Sequence, residues 1–480
     1  MKTHPNLIGG DDVGGTGRPN VNPSDTTDVI GRYAQASAAD VDRAVEAAQA
    51  AQPSWARRPS ADRAAILDRA GSAIESDVQA LSTLLSREEG KTLREARGEV
   101  LRAAQSFRYY AAQLAGPIGA VYDGTAPGLQ IHTVSRPVGV VGVITPWNYP
   151  MAIPAWKIAP ALAFGNSVVF KPADLVPASA WMLTQILRAA GVPPGVFNLV
   201  MGSGSVVGQR IVESPGIHAV TFTGSTSVGT RLAQDAVATG LKRVQLEMGG
   251  KNPLIVLDDA RLDVAVAAAV EGAFASTGQR CTAASRLIVH RSIQAPFIDG
   301  LIARMASIRV GHALDDETTM GPAASADQLD QDVRYIEIGR LEGAELLAGG
   351  AALDRNPSGH YIEPTLFLGD RSMRINREEI FGPIACVIPV DDLDEALDVA
   401  NDTDYGLTAG LISESLRAAA EFTSRAQAGI LSINRSPAPT ELHVPFGGLK
   451  RSSYGGREQG EAARQFFTQQ VTVYTAEGRP

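Results

Sequence analysis

Six short, β-branched runs alternate with helix-like stretches between Val138 and Val256, and this rhythm restricts the possible folds more than any other feature of the chain. The runs read VGVVGVI, SVVFK, VFNLV, HAVTFTG, RVQLE and PLIVL, with segments such as ASAWMLTQILRAA between them. Continuous apolar runs belong to strands covered on both faces, and strand, crossover helix and strand in succession give a parallel pair. The expected class is therefore α/β, built on a doubly wound, Rossmann-like sheet. Ligands of such sheets sit at the carboxyl ends of the strands, and dinucleotides commonly do.

The flanking sequence adds three pieces. From Ala39 to about Leu114, ADVDRAVEAAQAA and ADRAAILDRAGSAIESDVQALSTLLSREEG carry apolar residues at three- and four-residue intervals and read as packing helices. From Leu262 a second alternation runs through SRLIVH, the helix-like QAPFIDGLIARMASI, a helical period near Leu393 to Asn401 and the strand GILSIN, which predicts a second α/β unit. The tail from Gln465, FFTQQVTVYT, reads as a strand able to pair with the extended segment Leu129 to Ser135. The boundaries expected are 1–117 with 137–248 for a dinucleotide-binding domain, 249–464 for a catalytic domain, and 118–136 with 465–480 for a small bridging β element.

A chain of 480 residues is long enough for two or three such units. The formal net charge is −9 and the basic residues are scattered, so nucleic acid is not expected as a partner. The opening MKTHPNLIGGDD lacks the apolar stretch of a signal peptide, and no long apolar run follows, so neither export nor membrane insertion is expected. The two cysteines, Cys281 and Cys386, make no disulfide framework and lack zinc-site spacing, which suits a cytoplasmic protein without a metal.

Candidate chemistry gathers at strand ends. Cys281 lies in FASTGQRCTAASRLIVH, on a polar connection before an apolar strand. Most lone cysteines are small buried hydrophobes, so residue type favours core over nucleophile, while the polar neighbours pull the other way. Arg280 beside it can hold a thiolate or an anionic substrate, or be solvated. Cys386, within FGPIACVIPV, reads as core. Glu247 ends RVQLE just before Gly249 and Gly250, where a carboxylate is either a base facing a cleft or a turn charge. Thr145, Pro146, Trp147 and Asn148 follow VGVVGVI, and the Asn148 amide can donate to an oxyanion. Lys171 and Asp174 end the next strand. Two glycine-rich loops compete for a dinucleotide. GSGSVVG, Gly202 to Gly208, is one residue too long for GxGxxG, and FTGSTSVG, Phe222 to Gly229, offers Ser225 and Thr226 as caps of a helix whose amides face phosphate. Spacing alone does not choose between them.

In order and spacing, ITPWNYP, VVFKPAD, FTGSTSVG, LEMGGKNP, STGQRCTA, EEIFGP and NDTDYGLTAG with PFGGLK resemble the aldehyde dehydrogenase superfamily, from about residue 20 to nearly the C-terminus. The resemblance implies that Cys281 is the nucleophile, Glu247 the general base for deacylation, and Asn148 with the Cys281 backbone amide the oxyanion hole. It implies NAD or NADP as cofactor, with Lys171 near the adenosine ribose, Gly224 and Ser225 at the pyrophosphate, and Glu379 and Phe381 at the nicotinamide riboside. Thr145, Pro146, Trp147, Gly208 and Phe222 are expected in the same lining, and the 222–229 loop is preferred over 202–208 as the phosphate cradle. Asp174 stands where the superfamily often has a ribose-binding glutamate, and its charge opposes a 2′-phosphate, which tilts the expectation to NAD.

Within the superfamily, KPADLVP, STGQRCTA and HVPFGG with SSYG and REQG most resemble the branch acting on 2-oxoglutarate semialdehyde (2,5-dioxopentanoate), with Lys450, Arg451 and Gly456 as departures. The substrate implied is a carboxylate-bearing semialdehyde contacting Arg280 and Trp156, the latter where succinate semialdehyde enzymes commonly carry arginine. The alternatives are another small aldehyde (succinate semialdehyde, sugar-derived or aromatic), a coenzyme A acylating reaction, against which Glu247 argues, and a non-catalytic binding protein. The superfamily implies a homodimer or homotetramer, joined through strand edges near Leu129 and Val471.

Overall fold

The computed structural model describes residues 2–476. Its first sheet has eight strands, in the spatial order Ser453–Gly455, Arg243–Glu247, Ala219–Thr223, Val140–Ile144, Ser167–Lys171, Phe197–Leu199, Asn6–Ile8 and Asp11–Val13. The five strands from Arg243–Glu247 to Phe197–Leu199 are parallel, and in the order just given they are fifth, fourth, first, second and third along the chain, which is the doubly wound arrangement. The order reverses between Val140–Ile144 and Ala219–Thr223, so a crevice opens at their carboxyl ends. Side chains alternate between two cores: Val141 and Val143 join the helices of the N-terminal region, whereas Val140 and Ile144 pack with Val41, Val45 and Val220 on the other face. Each such fully buried side chain contributes about 1.5–3 kcal/mol relative to exposure.

Of the four helices in the region expected to be helical, Ser60–Ser76, Val78–Glu89 and Leu93–Gln113 pack on one face of the sheet, while Ala38–Arg57 sends Val41, Ala44 and Val45 into the core on the other. The first and last along the chain begin in capping boxes, Ser37 with Asp40 and Thr92 with Glu95, which satisfy the free amides of their first turns.

The second sheet runs Glu345–Ala348, Thr365–Leu368, Ile384–Val390, Ala284–His290, Asn252–Val256, Thr408–Ile412 and Ile430–Ile433, parallel except at the Glu345–Ala348 edge. PLIVL therefore belongs here and not with the five runs before it: the chain changes sheets across Met248–Lys251, directly after Glu247. Ser453–Gly455 returns the other way, pairing antiparallel with Arg243–Glu247. Cys386 is buried in the Ile384–Val390 strand, as its apolar neighbours imply.

A three-stranded antiparallel sheet joins Val121–Tyr122, Gln130–Pro137 and Thr468–Thr475. The tail strand starts later than its composition suggests, because Ala462–Phe467 is helical and turns Ala463, Phe466 and Phe467 into the first core. The last four residues of the expected bridging segment, 477–480, lie outside the described residues. Strands within residues 3–34, for which periodicity gives no expectation, add an edge to the first sheet and a separate three-stranded sheet. Among the described residues no helix is long and apolar enough to cross a membrane.

Candidate active site

The carboxyl end of the first sheet faces the amino end of the second, and Cys281 sits between them, three residues before the strand Ala284–His290. Helix Leu262–Phe274 leads into a turn in which Ser276, Thr277 and Gly278 all have positive φ (51°, 56° and 64°). Consecutive left-handed residues are costly, about 1–3 kcal/mol for each non-glycine, and persist only where the surroundings enforce them. Here Ser276 N–H donates to Glu95 Oε1 at 2.7 Å and the Thr277 hydroxyl to the Gly321 carbonyl at 3.1 Å. Gly278 is obligatory, since a Cβ would stand 2.2 Å from the Gly382 carbonyl oxygen. Beyond the turn, Asn252 Nδ2 holds the Cys281 carbonyl at 2.8 Å.

Cys281 is half-buried and shared by two cavities. The inner one, about 200 Å³, is bounded by Trp147, Asn148, Gly224, Glu379 and Phe381. The outer one, about 560 Å³, is bounded by Tyr149, Trp156, Arg280, Phe446 and the loop at Pro439. Burial, then the negative charges of Glu247, Glu379 and Glu458, push the thiol well above its ordinary pKa.

Asn148 is aimed by a buried ionic frame. Its Nδ2 donates to the Gln279 carbonyl at 3.0 Å, leaving a second N–H free. Lys91 Nζ donates to the Asn148 carbonyl at 2.7 Å and to Glu99 Oε2 at 2.5 Å, and lies 3.9 Å over the Tyr149 ring. Glu99 Oε1 in turn accepts from the backbone N–H groups of Met151 and Ala152, at 2.8 and 3.1 Å. Lys91 and Glu99 are 2% and 3% exposed, so neither charge has water to fall back on. Lys91→Met is expected to lower stability by about 3–5 kcal/mol by stranding a buried carboxylate. Chemical denaturation measures this, with Lys91→Met plus Glu99→Gln expected to recover part of the loss.

Glu247 is buried at the last position of its strand. Burial, then the charge of Glu458, raises its pKa well above the usual carboxylate range. Lys157 pairs with Glu458 and donates to the Thr221 hydroxyl at 2.9 Å, and the Trp156 indole N–H donates to Glu458 Oε2 at 2.7 Å. Trp156 thus lines the outer cavity with its ring while its polar edge serves this network. Lys157 and Glu458 are not among the residues singled out from sequence; the available signal is a lone lysine inside the apolar helix AIPAWKIAPALA.

A third cavity, about 460 Å³, extends from the inner one along the carboxyl ends of the first sheet, past Thr145, Pro146, Lys171, Asp174 and Phe222. Gly208 and Gly224 both line it, so the two glycine-rich loops that compete in the sequence share one cleft. Its donors and acceptors fit a dinucleotide. Ser225 leaves the first amides of helix Thr226–Ala238 without a side-chain cap, and the oxygens Thr145 Oγ1, Asp174 Oδ1 and Thr223 Oγ1 are buried without protein partners. Lys171 Nζ donates to the Pro172 carbonyl at 2.6 Å, and burial lowers its pKa. Arg18 NH1 reaches Asp174 Oδ2 at 3.4 Å. Glu379 accepts from Gly250 N–H at 2.8 Å, and burial pushes its pKa to about 7. Phe381, at φ +65°, packs edge-on to Trp147 at 5.4 Å, while Gln331 Nε2 holds the neighbouring Ile380 carbonyl at 2.6 Å.

Arg280 borders the outer cavity, but its guanidinium donates to the Glu271 backbone carbonyl. Two further arginines, Arg94 and Arg102, line the same cavity without having been marked by any sequence motif. Arg102 is half-buried and donates to Gln459 Oε1 at 3.2 Å.

Two facing α/β sheets, a dinucleotide-sized cleft and a cysteine at its inner end are the frame of a thiol-dependent dehydrogenase. The chain belongs to the aldehyde dehydrogenase family, whose model matches residues 11–473. It is 45% identical over 456 residues to the α-ketoglutaric semialdehyde dehydrogenase of Bacillus subtilis, covering 94% of this chain and 93% of the relative. It is 42% identical to the 2,5-dioxopentanoate dehydrogenase of Saccharolobus solfataricus, over 95% of each chain. The crystal structure of betaine aldehyde dehydrogenase from Staphylococcus aureus in complex with NAD+ superposes with a TM-score of 0.95 at 33% identity, covering 98% of this chain and 94% of that one.

Proposed function

We propose that the protein oxidises a carboxylate-bearing semialdehyde, 2-oxoglutarate semialdehyde in the first instance, to the corresponding acid with NAD as acceptor. The observation that carries this reading is the placement of Cys281 where the two cavities meet: the cleft with uncapped helix amides opens on one side of the sulfur and the arginine-bearing cavity on the other. The names of the relatives at 42–45% identity support the substrate class. The Asp174 carboxylate within the cleft supports NAD over its 2′-phosphorylated form.

Cys281 attacks the aldehyde carbon once its thiol proton has left, and the second Asn148 N–H, with the Cys281 backbone amide, stabilises the oxyanion. Bound NAD supplies the hydride acceptor, with Lys171, Asp174, Gly224, Ser225, Glu379 and Phe381 holding it. Glu247 then takes a proton from water, which attacks the thioester and releases the acid. The assembly proposed is a homodimer or homotetramer in the cytoplasm, joined through the three-stranded sheet, with the residue ranges given above as its cofactor, catalytic and bridging units.

A pair of substrates tests the reading. 2-Oxoglutarate semialdehyde is expected to exceed pentanal in kcat/KM by about tenfold or more, the worth of one charge-assisted contact. Acid release should need no coenzyme A. Arg280→Ala and Arg102→Met should each raise KM for the anionic aldehyde far more than for pentanal. Equal effects on both aldehydes would remove the arginines as anchors, and a wild-type enzyme indifferent to the carboxylate would overturn the substrate class.

A further inference from the structure

The carboxylate of Glu247 is tied to its own sheet. It is 2% exposed and lines neither of the cavities that share Cys281. It is held instead by Ser453, its register partner on the antiparallel strand Ser453–Gly455. The Ser453 hydroxyl donates to Glu247 Oε1 and accepts from the Gly448 N–H at 2.6 Å. When Glu247 is ionised it can only accept, so the serine supplies the hydrogen of this bond. Oε2 is buried without a protein partner. Gly447 makes the room, with φ +148° and an added Cβ that would lie 2.8 Å from Oε1.

We propose that Ser453 is a positioning residue for thioester hydrolysis, holding the Glu247 carboxylate withdrawn against its own strand as a hydrogen-bond acceptor and leaving Oε2 to take the proton from water. The proposal rests on the reading of Glu247 as the general base. In that step a water O–H bond breaks and its proton passes to Oε2, while the water oxygen bonds to the thioester carbon. Collapse of the adduct breaks the C–S bond and returns the electron pair to the Cys281 sulfur.

The charged groups facing Glu247 are Lys157 from the helix Ala152–Ala163, Arg457 and Glu458 from the segment after Ser453–Gly455, and Cys281 from the opposite sheet. Burial and Glu458 favour the protonated acid, whereas the Ser453 bond, Lys157 and Arg457 favour the carboxylate. Loss of the serine hydroxyl therefore makes the base available only at higher pH.

The test follows acid release from the acylated enzyme in a single turnover, against pH, for the wild type, Ser453→Ala, Ser453→Thr and Glu247→Gln. In Ser453→Ala the midpoint of the rate profile is expected to rise by about one pH unit, the worth of a hydrogen bond to a charged group. Ser453→Thr keeps the hydroxyl and should restore it. Circular dichroism and NAD binding, measured on the same samples, should match the wild type and so report an intact fold. A wild-type midpoint in Ser453→Ala, with Glu247→Gln slow, overturns the role of Ser453 alone. Hydrolysis at the wild-type rate in Glu247→Gln overturns the base assignment and the proposal with it.

Discussion

Replacing Cys281 with alanine is expected to lower NADH formation by at least about 10⁴-fold, the scale on which removal of a covalent nucleophile acts. Neither the second cysteine nor the neighbouring threonine can stand in. Cys386 is buried in a different core, with its sulfur accepting from Asn376 Nδ2 at 3.3 Å. The Thr282 hydroxyl beside the site is committed to the Ala438 carbonyl at 2.9 Å. Because Cys281 borders the inner cavity but not the adenosine end of the cleft, NAD affinity should remain within about twofold of wild type, a difference of under half a kcal/mol. Initial rates by NADH absorbance and NAD titration by protein fluorescence measure the two quantities on one preparation. Retention of more than a few per cent of the rate with unchanged NAD binding would show that the thiol is not the nucleophile.

How much of this is legible in the sequence depends on whether the signal is local. Parallel strands buried on both faces announce themselves as apolar runs, so the first sheet follows from Val140–Ile144, Ser167–Lys171 and their fellows without a structure. PLIVL has the same composition as those runs, and nothing within it records which sheet it joins; that is settled by the chain crossing at Met248–Lys251. Ser453–Gly455 is three residues long, too short for a period to show. In the tail, QFF carries no pattern that separates a helical turn from a strand, and burial of Phe466 and Phe467 against the first core decides it.

The site divides the same way. Cys281, Glu247 and Asn148 each stand beside a motif, and the cofactor lining follows strand ends. Their supports are contacts between distant segments: Lys91 meets Asn148 across 57 positions, and Ser453 meets Glu247 across 206. The departures at Lys450 and Arg451 also resolve through such contacts. Lys450 Nζ donates to the carbonyls of Asn401 and Thr403 at the end of helix Leu393–Asn401, where a cation is favoured, and Arg451 pairs with Asp404.

Replacing Glu247 with glutamine is expected to separate the two halves of the reaction. Glutamine keeps the volume and can still accept from Ser453, so the acylation half should proceed and yield one NADH per active site. It cannot take a proton from water, and turnover after that first equivalent should fall by about 10²–10⁴-fold, the range for loss of a general base. Rapid mixing resolves the burst from the slow phase, and mass spectrometry of the quenched protein should find the acyl group on Cys281. The pH dependence gives an independent sign. Glu247 has a raised pKa, so it acts as a base only above that value, and wild-type deacylation climbs as pH rises through it. In the glutamine variant that rise disappears, because no group with that pKa remains on the hydrolytic path. A variant that loses the burst as well would place Glu247 before hydride transfer, at deprotonation of the Cys281 thiol. This second outcome has a physical basis in the structure, since the thiol is itself held protonated by burial and by the charge of Glu247. A carboxylate that disfavours the thiolate while withdrawn can drive its formation only by moving toward the sulfur and accepting the proton. The size of the burst therefore decides whether Glu247 acts once per cycle, on water, or twice.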